Sequence, residues 1–370
     1  MDLLPYGRHS IDEEDIAAVV RILRSDWLTT GPAVEEFEHA VAARTGAQHA
    51  VAVANGTAAL HAAMFALGIQ PGDEVILPPL TFAATANCVI FQGATPVFAD
   101  VSPDTLLLDP ESVARRISPR TRAIVAVDYA GQPCDYDKLR TIAETHRLAL
   151  VADACHSLGA TYKGRRSGAL ADLSCFSFHP VKPITTAEGG MVTTGNPDFA
   201  RRMRLFRNHG ITTDHRERAQ AGTWFYEMTE LGYNYRLSDL QCALGLSQLR
   251  KLTAWTARRQ QIAEQYTHAF QDRRVVQPLR TREDVGHAYH LYVVTTGSRD
   301  ALVALLREKG ISANVHYIPV HLHPYYRRWF GYMPGLCPVA EKAYHHILSL
   351  PIFPRMTDAD VARVIAAVQP

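Results

Sequence analysis

The sequence predicts an α/β fold: a mostly parallel sheet flanked by helices, followed by a smaller C-terminal α/β unit. Three observations point there. Short apolar runs alternate with helical patterns as far as about Gly195. A long, charge-rich helical pattern runs from Leu237 to about Phe270. Beyond it, strand, helix, strand and a last helix follow in turn.

The first element is a helix towards Arg24, opened by Ser10-Ile-Asp-Glu13 read as a capping box. Candidate strands are Val51–Ala54, Val75–Leu77, Val97–Ala99, Ala123–Val127, Ala149–Ala152 and Ser174–Phe178. Helices between them are expected to start near Thr57, Thr81, Pro110 and Tyr136. Strands that are apolar throughout, rather than alternating, belong in a sheet covered on both faces. Leu237–Phe270 suits a connector between domains. His290–Thr296, Arg299–Lys309 and Ile311–Tyr317 read as strand, helix, strand, and Asp358–Val368 as the last helix. Gln220–Met228 is either a loop over a site or an irregular surface connection. A chain of 370 residues exceeds one compact core, so two domains are expected, 1–245 and 246–370.

The bulk composition excludes several classes. An apolar share of 47% with 20% charged residues is that of an ordinary globular protein, and a net charge of +1 favours neither nucleic acid nor membrane surfaces. Six scattered cysteines, with no CxxC pair, argue against zinc and suggest reduced thiols. The N-terminal Met-Asp-Leu-Leu-Pro-Tyr-Gly-Arg lacks a signal-peptide pattern, and no apolar run is long enough for a membrane span. A soluble, cytoplasmic protein is expected. The histidines His316, His321 and His323 lack a carboxylate pattern suited to a metal, and none is expected.

Three stretches carry chemistry. In Ser174-Cys-Phe-Ser-Phe-His-Pro-Val-Lys-Pro-Ile-Thr-Thr-Ala-Glu-Gly-Gly190, Lys182 follows an apolar strand and is flanked by prolines. Drying disfavours an ammonium, so such a lysine offers a free amine for Schiff-base chemistry. In Ala149-Leu-Val-Ala-Asp-Ala-Cys-His156, an apolar strand ends in Asp153, at the sheet edge where open α/β folds bind ligands. A helix cap would explain the same carboxylate. In Val51-Ala-Val-Ala-Asn-Gly-Thr-Ala-Ala-Leu60, strand, tight turn and helix form a natural phosphate cradle, although such junctions are common.

Taken in order with Trp27-Leu-Thr-Thr-Gly31 and Gly232-Tyr-Asn-Tyr-Arg-Leu-Ser-Asp239, these motifs resemble the DegT/DnrJ/EryC1/StrS family of nucleotide-sugar aminotransferases. The resemblance covers nearly the whole chain and implies a fold-type-I transferase that uses pyridoxal 5'-phosphate (PLP) and its amine form, PMP. It implies that Lys182 carries the cofactor and moves the proton, that Asp153 pairs with the pyridinium nitrogen, and that His156 donates to the phenolic oxygen. Many members carry Gln at that position, and His would add a group titrating near neutral pH. By the same resemblance Gly56, Thr57 and Ser177 hold the phosphate, Phe82 stacks on the ring, and Asn234 reaches the phosphate of a neighbouring subunit. A homodimer with shared active sites follows.

Within the family, Val127-Asp-Tyr-Ala-Gly131, the Lys182 segment and Val315-His-Tyr-Ile-Pro-Val320 look most like the pseudaminic-acid branch. That branch aminates C4 of a UDP-linked 4-keto-6-deoxy-N-acetyl-altrosamine, with glutamate as the usual donor. Tyr6, Asp26, Trp27, Leu28, Thr29, His316, Tyr317, Ile318 and Pro319 would then contact the sugar nucleotide, with Arg8 and Arg236 as further cations. Other readings are a dTDP-linked or 3-keto substrate, a dehydratase of the same scaffold, and a non-catalytic sugar-nucleotide sensor. Dehydratase relatives replace the lysine with histidine, which Lys182 opposes.

Overall fold

Residues 3–271 and 275–368 are described by the computed structural model. Strands β1 (His49–Val53), β2 (Glu74–Leu77), β3 (Thr95–Phe98), β4 (Thr121–Val127) and β5 (Ala149–Asp153) form where the apolar runs predict them. A short hairpin of β6 (Thr161–Tyr162) and β7 (Arg165–Arg166) precedes β8 (Leu173–Ser177) and β9 (Gly190–Thr194). The central sheet has seven strands in the order β1-β9-β8-β5-β4-β2-β3. Pairing is parallel from β8 across to β3, while β9 runs antiparallel to both β8 and β1. Val51, Val53, Ile76, Ile124, Val151 and Leu173 are fully buried. That is why these strands read as continuous apolar runs.

Helix Gly56–Leu67 is buried almost all round because it lies between the sheet and helices Ala84–Phe91 and Pro197–Arg207. Glu38 ties the layers together from inside. Its carboxylate accepts from the Ala52 N–H of β1 at 2.9 Å and pairs with Arg204 and Arg207. A buried carboxylate so fully partnered is strongly destabilising only when one partner is removed.

The remaining strands are β10 (Gln277–Pro278), β11 (Val285–Gly286), β12 (Tyr292–Thr295) and β13 (Ile347–Leu350). β12 pairs with β10 on one side and β13 on the other. Helix Asp239–Phe270 spans the two cores: Cys242 and Leu252 pack in the first, Ile262, Tyr266 and Phe270 in the second. The expected boundary at 245/246 falls inside this helix. Among the described residues, no helix is long and apolar enough to cross a membrane.

Some elements differ from the reading of the sequence. The first helix is Glu13–Leu23, and its capping box is Asp12 with Asp15, not Ser10 with Glu13. The Ser10 carbonyl is engaged elsewhere, by the Gln248 amide. The helix expected near Thr81 begins at Ala84. Ile311–Tyr317 makes only isolated bridges, Ile311 to Leu4 and Asn314 to Ser349. The edge beyond β12 is taken by Ile347–Leu350, three apolar residues and a serine, a run too short to assign from sequence. Helix Pro32–Thr45 was not anticipated either, although Pro32 at its start and buried Val34, Phe37 and Val41 carry its signature.

Candidate active site

The parallel strands bring their C-terminal ends to one edge, and the candidate residues follow from that register. β1 ends at Val53 and runs through Asn55 into helix Gly56–Leu67. The Asn55 carboxamide caps the helix by accepting from the Ala58 N–H at 2.8 Å. The N–H groups of Gly56 and Thr57, in the first turn, have no intrahelical acceptor. A Cβ on Gly56 would stand 2.8 Å from the Ser177 Cβ and 3.1 Å from its hydroxyl. Only glycine lets the turn close on the end of β8. Gly190, opposite both Val53 and Ser177, likewise admits the Asn55 carbonyl where a side chain would collide.

Lys182 lies in the irregular stretch after β8, closed at its base by Phe178 N–H to Gly189 O at 2.8 Å. Its own N–H donates to His179 O at 2.9 Å. The ammonium has no hydrogen-bond partner among the described residues, and burial pushes its pKa down, opposed by Cys155 and Asp153. Asp153, the last residue of β5, is buried, 7% exposed. One carboxylate oxygen accepts from the Thr85 hydroxyl at 2.7 Å, the other from the Cys155 N–H at 3.3 Å. It makes no ion pair among the described residues. A buried carboxylate left without a cation is the natural counterpart of a cationic ring nitrogen.

His156 faces Lys182 and Tyr317. Its Nε2 is 3.0 Å from the Tyr317 hydroxyl, while its buried Nδ1 has no partner among the described residues. Burial, then the Lys182 and His316 charges, push its pKa well below the usual imidazole range. The titration near neutral pH expected from sequence is therefore absent. Tyr317 is held neutral in the opposite sense, its pKa raised well above that of an ordinary phenol by burial and by nearby Tyr129 and Asp153. Phe82 is 62% exposed, with its ring 6.2 Å from that of Tyr317. The Tyr6 ring stands 5.3 Å from His316, whose Nδ1 is 2.9 Å from the Ser349 hydroxyl and whose carbonyl accepts from Tyr129. Ile318 is exposed and Pro319 buried beside them.

The remaining candidates make other contacts, although the Tyr235 carbonyl next to Asn234 accepts from the Ala54 N–H at 2.8 Å, close to the Gly56 turn. The Trp27 ring is tilted against His215, 5.3 Å between centroids, and lies under Arg216. The Leu28 carbonyl accepts from the Asp239 N–H at 3.0 Å, and Thr29 bridges Ser238. Asp26 is exposed at the head of this turn. Asn234 is exposed and paired with Asn208 through the backbone, and Arg236 donates to the Asn208 side chain at 2.9 Å. Thr30, Arg204, Arg207, Asn208 and Arg236 line a cavity of about 380 Å³ on this side. Residues 220–228 flank it: Met228 bridges Ile211, and Trp224 is 84% exposed. Arg8 is exposed and lines a small cavity together with Lys182, Pro180 and Pro183.

Sequence reasoning missed Thr85, His290, whose ring centroid lies 4.3 Å from that of His156, and Tyr129. The spacing of Thr81 and Thr85 at a helix start was a readable signal. The other two are tertiary contacts without one. Against the expectation for the histidine group, His321 does meet a carboxylate, Glu341, at 2.9 Å. Glu341 also accepts from the Gly335 and Cys337 N–H groups, which makes it a loop anchor. Among the described residues, no three His, Cys, Asp or Glu side chains group as metal ligands. The six cysteines are free.

Sheet, phosphate-type turn, strand-end carboxylate and strand-end lysine together define the scaffold of a fold-type-I PLP-dependent aminotransferase. The chain belongs to the DegT/DnrJ/EryC1/StrS aminotransferase family, whose profile matches residues 9–369. The family is PLP-dependent. The chain is 44% identical over 374 residues to the spore coat polysaccharide biosynthesis protein SpsC of Bacillus subtilis, covering 99% of this chain and 96% of that one. It superposes on the PMP form of the sugar aminotransferase candidate Spr1654 of Streptococcus pneumoniae with a TM-score of 0.94 at 33% identity, covering 99% and 98%. Helicobacter pylori PseC, an aminotransferase of pseudaminic acid biosynthesis, superposes with a TM-score of 0.93 at 32% identity over 99% and 98%.

Proposed function

We propose that the protein transfers an amino group, from glutamate, to C4 of a UDP-linked 4-keto-6-deoxy-N-acetyl-hexosamine. The observation that carries the reading is the convergence of Gly56–Thr57, Asp153 and Lys182 on the C-terminal edge of one sheet. Bound PLP supplies an electron sink for the carbanion formed when the substrate Cα–H bond breaks. The chain does the rest. Gly56, Thr57 and Ser177 offer N–H and hydroxyl donors to the phosphate. Asp153 keeps the ring nitrogen protonated, and the unpartnered Nδ1 of His156 is available to the phenolic oxygen. Phe82 covers the ring face. Lys182, with its ammonium disfavoured by burial, would hold the cofactor covalently and would move the proton at the substrate carbon.

Sharing of the site between two subunits is part of this reading. It is supported by the fact that, among the described residues, Asn234, Arg236 and Asp26–Thr29 make no hydrogen bond to Lys182, Asp153 or His156 of their own chain. Mixing a Lys182→Ala chain with an Asn234→Ala chain tests it. In the mixed dimer one site carries both defects and the other carries neither, so activity is expected to return to about half of the wild type. Heterodimers of verified composition that stay inactive would mean that each site is built within one subunit.

The sugar is assigned on the segments around Lys182 and His316, with Tyr6, Asp26, Trp27, Leu28, Thr29 and His316 to Pro319 as its contacts. A UDP-sugar is anionic and needs donors from several segments, which Arg8, Tyr317 and Arg236 would add. A paired assay of the altro- and gluco-configured 4-ketosugars is expected to favour the altro epimer. One buried polar group left unpaired costs about 1–3 kcal/mol, or roughly 5- to 150-fold in rate. The higher identity to SpsC favours a second reading, amination of another nucleotide ketosugar in polysaccharide biosynthesis. Preference for the gluco epimer or for a dTDP-linked sugar would select that one.

A further inference from the structure

We infer that Thr85, oriented by Thr81, is the positioning residue that fixes the Asp153 carboxylate for the cofactor's ring nitrogen. The inference rests on the reading of Asp153 given above and extends it to two residues so far without a role. The Thr85 hydroxyl donates to Asp153 Oδ2 at 2.7 Å and lies 2.7 Å from the Thr81 hydroxyl. Thr85 is 0% exposed, Thr81 3% and Asp153 7%, so water does not compete for these bonds. A hydroxyl has one proton to give. Once Thr85 gives its proton to the carboxylate, the only bond left to form with Thr81 is one in which Thr81 donates. The direction of the chain is therefore fixed: Thr81 to Thr85 to Asp153.

The consequences are geometric and electrostatic. Asp153 has few other restraints, since its second oxygen receives only the longer bond from the Cys155 N–H at 3.3 Å. Without Thr85 the carboxylate is free to turn about its last torsion. Two aligned hydroxyl dipoles also turn their positive ends towards the carboxylate in a site that water does not reach. The chain is short in sequence as well. Thr81 and Thr85 flank Phe82, so one segment sets both the ring-covering aromatic and the carboxylate below it. The i,i+4 spacing places both hydroxyls on one side of the turn that opens helix Ala84–Phe91.

The test compares four variants of the PLP-loaded protein: Thr85→Val, Thr85→Ser, Thr81→Val and Asp153→Ala. Thr85→Val keeps the shape and removes the hydroxyl, and Thr85→Ser keeps the hydroxyl and removes a methyl. Three readouts are taken: the pH midpoint of the visible absorption of the bound cofactor, the dissociation constant for PLP, and kcat with KM. Thr85→Val is expected to lower kcat by about 10- to 100-fold with KM little changed. It is also expected to move the absorption midpoint upward, because a ring that loses positive charge lets the lysine-linked cofactor keep its proton to higher pH. Thr81→Val moves the same quantities in the same direction by less, and Thr85→Ser restores them. A packing role would instead spare Thr85→Val, which keeps the shape, and impair Thr85→Ser, with an unmoved midpoint in both, and that overturns the inference. So does a wild-type midpoint and rate in a folded Thr85→Val protein while Asp153→Ala is impaired, which leaves the role of Asp153 standing. If Asp153→Ala is itself unimpaired, the reading of Asp153 falls and the inference with it.

Discussion

Lys182→Ala is expected to abolish turnover, by roughly four orders of magnitude or more, because one substitution removes both the nucleophile and the general acid–base. The magnitude follows from where the residue sits. Its amine has no hydrogen-bond partner among the described residues, and burial holds its pKa below that of a free lysine. Among the described residues the nearby histidines are poor replacements: burial pushes the pKa of His156, His290 and His316 down, His316 to about 4, which leaves them weak bases. Cys155 is pushed the other way, towards the protonated thiol. Two measurements check the assignment. Borohydride reduction of the loaded wild type fixes the cofactor, and peptide mapping is expected to find it on Lys182. The variant is expected to retain PLP non-covalently, through Gly56, Thr57 and Asp153, with no half-transamination by glutamate. A fully active variant would remove Lys182 from the mechanism. A wild type that shows no half-transamination would favour the non-catalytic sensor.

The parts legible in the sequence share a physical reason. Parallel strands buried on both faces must be largely apolar, so β2, β4, β5 and β8 appear as mostly apolar runs. Their ends are equally marked, because an apolar run that stops at Asp153 or Ser177 places that residue at the sheet edge. Lys182, Asp153 and Gly56 were readable for this reason. What was not readable depends on the third dimension. The Tyr317 hydroxyl beside His156, the His290 ring against it, and the bond from Thr85 to Asp153 join segments far apart in sequence. For the first two nothing local signals the contact, and for the third the Thr81–Thr85 spacing marks the hydroxyls but not their partner. The same holds for the titration of His156. A histidine read from sequence suggests a group charging near pH 6.5, and only its burial against Lys182 and His290 shows that it stays neutral. The strand expected over Ile311–Tyr317 failed in the same way. Its composition suited a strand, but β12 already pairs with β13 at that edge, and the His316 carbonyl is taken by Tyr129.

Asp153→Ala is expected to cut the rate by roughly two orders of magnitude or more, while leaving the apo-protein as stable as the wild type or slightly more so. The opposite signs come from one fact. Asp153 is 7% exposed and makes no ion pair among the described residues, so before cofactor binds it is a buried acidic group held only by Thr85 and the Cys155 N–H. Burying a carboxylate without a cation is unfavourable, and replacing it with a small apolar residue relieves that cost. Natural chains keep such groups where function requires them. Once a cationic ring nitrogen arrives, the same carboxylate becomes half of a charge-assisted pair, and its loss is felt in cofactor affinity and in rate. A residue serving as a helix cap would behave otherwise: its removal would lower stability by about 0.5–2 kcal/mol and leave the rate within a few-fold. Thermal unfolding of the apo-protein, PLP titration and single-turnover rates, measured on Asp153→Ala and Asp153→Asn, separate the two. Asp153→Asn keeps the volume but not the charge, so it is expected to fall nearly as far in rate as Asp153→Ala. A destabilised apo-protein with a near-normal rate would return Asp153 to the role of a cap and leave the ring nitrogen without a partner.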